Sequence, residues 1–208
     1  MSTPHMTRVA IANRSGVPIF GMRLTHVFGD QAPEVLAWDS VIESGDGKLS
    51  DTRNVSYATG FGDMTNYDWW LASWRMEEAG QAFVCATAPS MINLVSNYFI
   101  MQGDGSVAAL VDTSDAIKPS DSAKSISKLG GSLAQLLFGG IARKIDKSEF
   151  KEHMLQEQDA YDPLHPTAIG LRLVIGADME VTFESPSGIS KGDYTKVAVP
   201  ADLPAVGY

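Results

Sequence analysis

The sequence contains very little cysteine and comparatively little positive charge. Its one cysteine, Cys85, cannot form an internal disulfide, which excludes the disulfide-linked frameworks of small secreted domains. Lys and Arg together number 16 against 25 Asp and Glu, which gives a formal net charge of -9. Because this charge repels phosphate backbones, we expect no nucleic-acid partner.

Long hydrophobic runs are also missing. The longest uncharged stretch, residues 129–142, spans 14 residues, whereas a helix needs about 20 to cross a bilayer. Residues 1–13 hold no apolar run of the length that a secretory signal needs. We therefore expect no transmembrane helix and a cytoplasmic location.

Residues that could bind a metal or attack a substrate do not form a complete metal or nucleophile motif. The four histidines, His5, His26, His153 and His165, stand singly in unlike contexts rather than at the spacing of a zinc site. The spacing Gly-x-Ser-x-Gly occurs once, at Gly188, Ser190 and Gly192, but it is not followed by the helical pattern that a nucleophile elbow requires. Cys85 sits within a strand pattern, where a small buried hydrophobe is the usual role. We predict no metal site and no cofactor.

The first half and the C-terminal part of the sequence show alternating apolar and polar residues, which are typical of half-buried β-strands. This alternation predicts strands at residues 7–13, 19–28, 35–42, 54–59, 68–76, 81–87, 167–175 and 179–185. Phe20 is expected on the same face as Met22 and Leu24, and residues 14–16 are expected to close a hairpin. Residues 68–76 are apolar on both faces, which favours a central strand.

Helical periodicity replaces this alternation in the middle of the chain. Apolar residues recur at spacings of three and four in residues 88–102 and 120–147, and Ser148 is a suitable N-cap for a further helix at 149–158. Strands on both sides of a helical block predict a single domain over residues 1–208, an antiparallel β-sandwich with a largely helical insertion at 88–158. Residues 195–208 are expected to form a loose tail.

Five short segments together resemble a known family. They are residues 9–16 (VAIANRSG), 57–62 (YATGFG), 68–74 (DWWLASW), 150–153 (FKEH) and 183–188 (FESPSG). On these segments the chain is similar to the Up-regulated in Daf-Two (UDA) domain family, and the resemblance covers most of the sequence. It implies an aegerolysin-like β-sandwich and a tendency to form dimers, and it implies no catalytic residues.

The tryptophan-rich strand has two interpretations. Trp69, Trp70 and Trp74 lie within six residues, and their bulk suits the core of a sandwich. Alternatively, Tyr67, Trp69 and Trp74 form an aromatic pocket that binds a ligand.

The ionisable residues between positions 153 and 165 also have two interpretations. His153, Asp159 and His165 could supply an acid and a base for catalysis, because a carboxylate can orient one imidazole while another group moves a proton. In the structural alternative, His153 caps the C-terminus of a helix and Asp162 opens a turn.

The uncharged, glycine-rich residues 129–142 have Lys and Arg on both sides. Such a segment either buries its apolar face against the sandwich or a second subunit, or lies in a lipid interface. The residues expected to make this membrane or dimer contact are Leu133, Leu137, Phe138 and Ile141.

These features favour a non-catalytic binding or interaction protein that forms a homodimer and associates with a lipid or membrane surface. The lipid partner rests on a fold-level analogy with the aegerolysins, which the family resemblance implies. The alternative is a small-molecule enzyme that uses acid–base chemistry at His153 and Asp159 beside the aromatic pocket. A third interpretation is a structural protein that binds no small ligand.

Overall fold

Most of the described chain consists of β-strands. The computed structural model describes residues 3–28, 34–59, 68–87 and 151–198. The strands in these ranges are β1 (Thr3–Asn13), β2 (Ile19–Phe28), β3 (Glu34–Trp38), β4 (Arg53–Thr59), β5 (Asp68–Glu78), β6 (Gln81–Ala86), β7 (Lys151–Glu152), β8 (Leu171–Ile175), β9 (Glu180–Ser185), β10 (Gly188–Asp193) and β11 (Thr195–Ala198). A 3-10 turn at Glu157–Asp159 precedes β8. The prediction of a mainly β protein is confirmed.

The strands form two sheets. The first has the order β10-β9-β8-β1-β4, and the second has the order β11-β6-β5-β2-β3 with β7 paired to one end of β5. Strands from both ends of the chain share the first sheet, but β1 and β8 are parallel. The prediction of purely antiparallel pairing is therefore wrong at this pair. Parallel pairing is allowed there because a long stretch of chain separates the two strands and no tight turn has to join them.

The apolar side chains of both sheets meet in one buried cluster. Its largest fully buried members include Trp38, Trp70, Trp74 and Phe183. Aromatic side chains bury about 150–250 Å² each, so these four contribute much of the apolar burial. Strand β5 lies in the middle of the second sheet, as its apolar residues on both faces predict.

A bulge in β2 changes which of its residues face the core. The pairing of β2 with β5 shifts register between Phe20 and Arg23, and Gly21 has a φ of 57°, a left-handed conformation that glycine adopts readily. The bulge places Ile19 in the core and leaves Phe20 half-buried. The prediction that Phe20 shares the face of Met22 is therefore wrong.

Residues 14–16 carry the chain from the first sheet to the second and do not close a hairpin. The Asn13 side chain fixes this crossover, because its Nδ2 donates to the carbonyl oxygens of Val17 and Ile42 at 2.8 and 2.9 Å. Asn13 Oδ1 accepts bonds from the backbone N–H and the hydroxyl of Ser15. The hairpin prediction is wrong because the bond to the distant Ile42, together with these local bonds, decides the direction of the polypeptide.

The predicted helix at residues 149–158 is wrong where the structure describes it. Its residues 151 and 152 form β7, and Gln156 is extended. The backbone N–H groups of His153 and Leu155 donate to Asp68 instead of to carbonyls four residues earlier, so no α-helix forms.

The remaining helix predictions, at 88–102 and 120–147, lie outside the described residues. Among the residues that are described, no helical segment combines the length and the apolar character needed to cross a bilayer. At the C-terminus, β11 pairs with the outer edge of β6, so the loose tail predicted for 195–208 is wrong over Thr195–Ala198. This pairing satisfies backbone groups that an edge strand would otherwise leave open.

Candidate functional site

Residues 151–160, which we call the clasp segment, contact both sheets. The first two residues form β7 and pair with β5 of the second sheet. The segment then places His153 and Asp159 against β9, β10 and the turn between these strands in the first sheet. The candidate site is built around these two side chains.

Asp68, the first residue of β5, holds the clasp segment to the second sheet. Its backbone carbonyl accepts the N–H of His153 at 3.1 Å, and its Oδ2 accepts the N–H of Leu155 at 2.8 Å. Its Oδ1 lies 2.6 Å from Nε2 of His26. Trp70 adds a further bond, because its Nε1 donates to the carbonyl oxygen of His153 at 3.0 Å. Three of these bonds hold the segment to β5, and the residues that make them are buried.

Both ring nitrogens of His153 are hydrogen bonded to serine hydroxyl groups. Nδ1 lies 2.9 Å from Oγ of Ser190, and Nε2 lies 3.0 Å from Oγ of Ser185. The residue is 3% exposed, and its ring stacks against Phe183 with the centroids 6.0 Å apart. His153 therefore occupies a closed position on the core-facing side of β9 and β10.

The carboxylate of Asp159 is hydrogen bonded at both oxygens and is fully buried. Oδ1 accepts the backbone N–H of Ser187 at 2.9 Å. Oδ2 accepts the Ser187 hydroxyl at 2.5 Å and the backbone N–H of Gln156 at 2.7 Å. The Ser187 hydroxyl oxygen lies 2.8 Å from that of Ser185, so a continuous hydrogen-bond chain runs from His153 to Asp159.

The number of hydroxyl hydrogens decides which group donates in each of these hydrogen bonds. Each serine has one hydroxyl hydrogen, and that of Ser187 is used by the Asp159 carboxylate. Ser185 must then donate to Ser187, and His153 must donate from Nε2 to Ser185. The neutral imidazole is left with Nδ1 as the acceptor for the hydroxyl of Ser190.

The electrostatic environment of His153 agrees with a neutral ring. Burial lowers the pKa of His153 below its ordinary value of 6.5, and the carboxylates of Asp159 and Asp68 only partly oppose this effect. The ring is therefore uncharged at neutral pH, which leaves Nδ1 as an acceptor for the Ser190 hydroxyl.

The end of the clasp segment is also fixed against β1. The hydroxyl of Thr7 donates to the carbonyl oxygen of Asp159 at 2.5 Å. A Cβ atom at Gly170 would overlap both of these oxygen atoms, so this close approach requires glycine. The position of Asp159 is thus set by its backbone as well as by its carboxylate.

Trp69 and Trp74 do not line one pocket. Trp74 is fully buried and contacts Tyr194 edge-on with the ring centroids 4.7 Å apart. Trp69 is half-buried on the opposite face of β5, because side chains alternate along a strand and the two residues lie an odd number of positions apart. Tyr67 lies outside the described residues. The buried tryptophans thus agree with the interpretation as core bulk.

His165 lies in a separate exposed turn. Its Nδ1 lies 2.7 Å from Oδ2 of Asp162, and this hydrogen bond lowers the pKa of the Asp162 carboxyl group. Asp162 also accepts the N–H of Leu164 at 2.8 Å, which is typical of a turn that an aspartate opens. The structure therefore brings together His153 and Asp159 but not His165. The helix-cap interpretation of His153 is wrong, because the residue follows a strand.

The four residues predicted to contact a membrane or a second subunit, Leu133, Leu137, Phe138 and Ile141, lie outside the described residues.

Other chemistry in the described part of the chain is sparse. Within it, no three His, Cys, Asp or Glu side chains are grouped so that they could hold a metal ion. A groove of about 370 Å³ is lined by residues 40–43 and 48–51 and includes none of the candidate residues. Cys85 is buried, and burial raises its pKa to about 12, so its thiol is a weak nucleophile.

The sequence interpretation missed several partners that complete the site. They are His26, Asp68, Ser185, Ser187 and Ser190. A signal was present, because Asp68, His153 and Ser185 come from three of the segments that carry the family resemblance. Their contact depends on strand pairing between distant parts of the chain, which the separate segments do not reveal.

Comparisons with known proteins agree with this resemblance. A search of the curated proteins finds no match to the chain. The family model described as Up-Regulated in long-lived daf-2 matches residues 3–194, a range that includes the whole clasp segment and all of its partners. The chain therefore belongs to the Up-Regulated in long-lived daf-2 family.

Proposed function

We propose that this protein is a non-catalytic binding protein that associates with a lipid or membrane surface. The observation that favours binding over catalysis is the state of His153 and Asp159, whose polar side-chain atoms are all hydrogen bonded inside the protein. A general acid or base must reach the proton that it transfers. His153 is 3% exposed and Asp159 is fully buried, so a substrate cannot reach either side chain in this closed arrangement.

Exposed apolar side chains in the clasp segment and next to it support the lipid partner. We call these residues, Met6, Met154, Tyr161 and Leu164, the apolar rim. Leu164 is 84% exposed, and Met154 and Tyr161 are 43% and 44% exposed. Met6 joins them because its carbonyl oxygen accepts the N–H of Tyr161. Each Å² of this surface that lipid removes from water contributes about 25 cal/mol.

The finer description of the fold belongs to the same proposal. We infer that the two sheets form an aegerolysin-like sandwich with a helical insertion at 88–150, because residues 151–158 contain β7 and a 3-10 turn instead of an α-helix. The single core cluster shared by both sheets supports a sandwich, and family membership supports the likeness to aegerolysins. The proposed location is the cytoplasm.

Co-sedimentation of the full chain with vesicles tests the lipid partner. We expect more binding to neutral phosphatidylcholine vesicles than to anionic phosphatidylserine vesicles, because the net charge of -9 is repelled by anionic lipid. Leu164→Asp is expected to weaken binding roughly 10- to 100-fold, since one buried leucine side chain contributes about 1.5–3 kcal/mol.

Leu49→Asp is the matched control, because Leu49 is a half-exposed leucine that lines the separate groove. It should bind vesicles as the wild type does. Failure to sediment with either type of vesicle would contradict the lipid partner, and equal losses in both variants would contradict the role of the apolar rim.

We also propose a homodimer, which the family resemblance implies. Light scattering on the purified chain should give about twice the monomer mass of 22.4 kDa. A monomer mass at all concentrations in the micromolar range would rule out the homodimer.

A further inference from the structure

The clasp segment is closed through a titratable side chain that is buried and is hydrogen bonded at both ring nitrogens. In the hydrogen-bond chain described above, Nδ1 of His153 accepts the hydroxyl of Ser190, and Nε2–H donates to Ser185. A proton at Nδ1 would convert this acceptor into a second donor. The Ser190 hydroxyl would then have to turn away, and a charged ring would be held in a buried position.

The charged groups around His153 do not compensate for this cost. Asp159 on the clasp segment and Asp68 on β5 both favour the charged ring, but burial outweighs them. His26 on β2 contacts Asp68. On the first sheet, the ring contacts serines and Phe183, and the neighbouring Lys191 pairs with Glu180 at 2.9 Å. The closed site therefore disfavours the proton that a solvated histidine would bind.

We propose that the clasp segment is a pH-operated latch, in which proton uptake by His153 releases residues 151–160 from both sheets. In the released state the ring is solvated, and its pKa returns to the ordinary value of 6.5. Release is therefore favoured as the pH falls through 6.5, and the effect levels off below the lower pKa of the closed state. Because one proton is taken up, the ratio of open to closed molecules rises by at most about tenfold per pH unit in this window.

Release also exposes apolar surface. Leu155 is 4% exposed in the closed state, and Trp70 and Phe183 are fully buried beside His153. The latch does not depend on the lipid proposal, because its opening is measured on the free protein.

Hydrogen exchange of the full chain at pH 7.0 and 5.0 tests the latch, with exchange times corrected for the intrinsic dependence on pH. We expect peptides that cover 151–161 and 183–192 to lose protection at pH 5.0, while peptides from β8 keep it. The ring signals of His153, followed by NMR in the same range, should titrate with the midpoint of this loss. Equal protection at both pH values, or a ring midpoint that does not coincide with the loss, would overturn the proposal.

His153→Gln provides the matched variant, because glutamine can form hydrogen bonds but does not titrate. In this variant the clasp peptides should show the same protection from hydrogen exchange at pH 7.0 and 5.0, whether the segment is closed or open. His165→Gln, at an exposed histidine, should keep the wild-type pH dependence. An acid transition that persists in His153→Gln would assign the effect to another group and would overturn the role of His153.

Discussion

Trp70→Ala is expected to lower the free energy of unfolding by about 3–5 kcal/mol, the range found when a large aromatic side chain is removed from a core. Trp70 has no exposed surface and lies between His26, with the ring centroids 4.2 Å apart, and Phe183, at 6.1 Å. Its truncation would leave a cavity between the sheets and would remove the donor to the buried carbonyl of His153. Urea denaturation followed by circular dichroism measures the change.

Two further variants locate the cause of this loss. Trp69→Ala removes the same type of side chain from the opposite, half-exposed face of β5, and it should cost less than half as much. Trp70→Phe keeps most of the ring but leaves the His153 carbonyl without its indole donor, which should cost about 1–3 kcal/mol. Equal losses in Trp69→Ala and Trp70→Ala would contradict the assignment of Trp70 to the core.

The strands could be predicted from the sequence because alternation is a local property. Strand β2 begins and ends at the predicted residues 19 and 28, and β8 and β9 lie within the predicted ranges 167–175 and 179–185. In β9 the period of two survives folding, because Val181 and Phe183 pack into the core while the residues between them stay half-buried. The central position of β5 followed from the apolar residues on both of its faces.

The errors occur where a distant partner overrides the local pattern. The turn after Asn13 contains residues typical of a hairpin. However, the buried side-chain amide of Asn13 donates hydrogen bonds to Val17 and Ile42, and these bonds direct the polypeptide into the other sheet. The helical spacing at 149–158 gives way because Asp68, more than 80 positions earlier in the chain, accepts two backbone N–H groups of this segment. The bulge at Gly21 places Ile19 in the core, where the local pattern predicts Phe20.

The prediction of the candidate site was incomplete because some of its residues are distant from one another in the sequence. His153 and Asp159 are close in sequence, so their proximity in space could be expected. The serines that connect them come from β9, β10 and the turn between these strands, and no spacing rule links those positions to residue 153. The pairing of Trp69 and Trp74 in one pocket failed because it ignored the alternation of β5 that the strand prediction itself used.

Asp159→Ala is the second variant from which we expect a large loss, about 2–5 kcal/mol in the free energy of unfolding. The carboxylate accepts the backbone N–H groups of Gln156 and Ser187 and the hydroxyl of Ser187. Each buried donor left without an acceptor costs about 1–3 kcal/mol, although water entering the space would recover part of this. Urea denaturation of the full chain measures the loss.

Asp159→Asn separates charge from volume at the same position. The amide keeps one acceptor for the Ser187 N–H, but its NH₂ group would face the donors of Gln156 and Ser187, so most of the loss should remain. Asp162→Ala is the control, because Asp162 is a turn aspartate outside the buried chain, and it should leave the free energy of unfolding nearly unchanged.

The combination of Asp159→Ala with Ser187→Ala tests whether the hydrogen-bond chain acts as one unit. The Ser187 hydroxyl and the carboxylate are joined at 2.5 Å, so once one of them is gone, removal of the other should cost little. We expect the double variant to be less destabilised than the sum of the two single variants by about 0.5–3 kcal/mol. Additive losses would mean that Asp159 only anchors the local backbone. The hydrogen bonds that connect His153 to Asp159 would then not act together in holding the clasp segment.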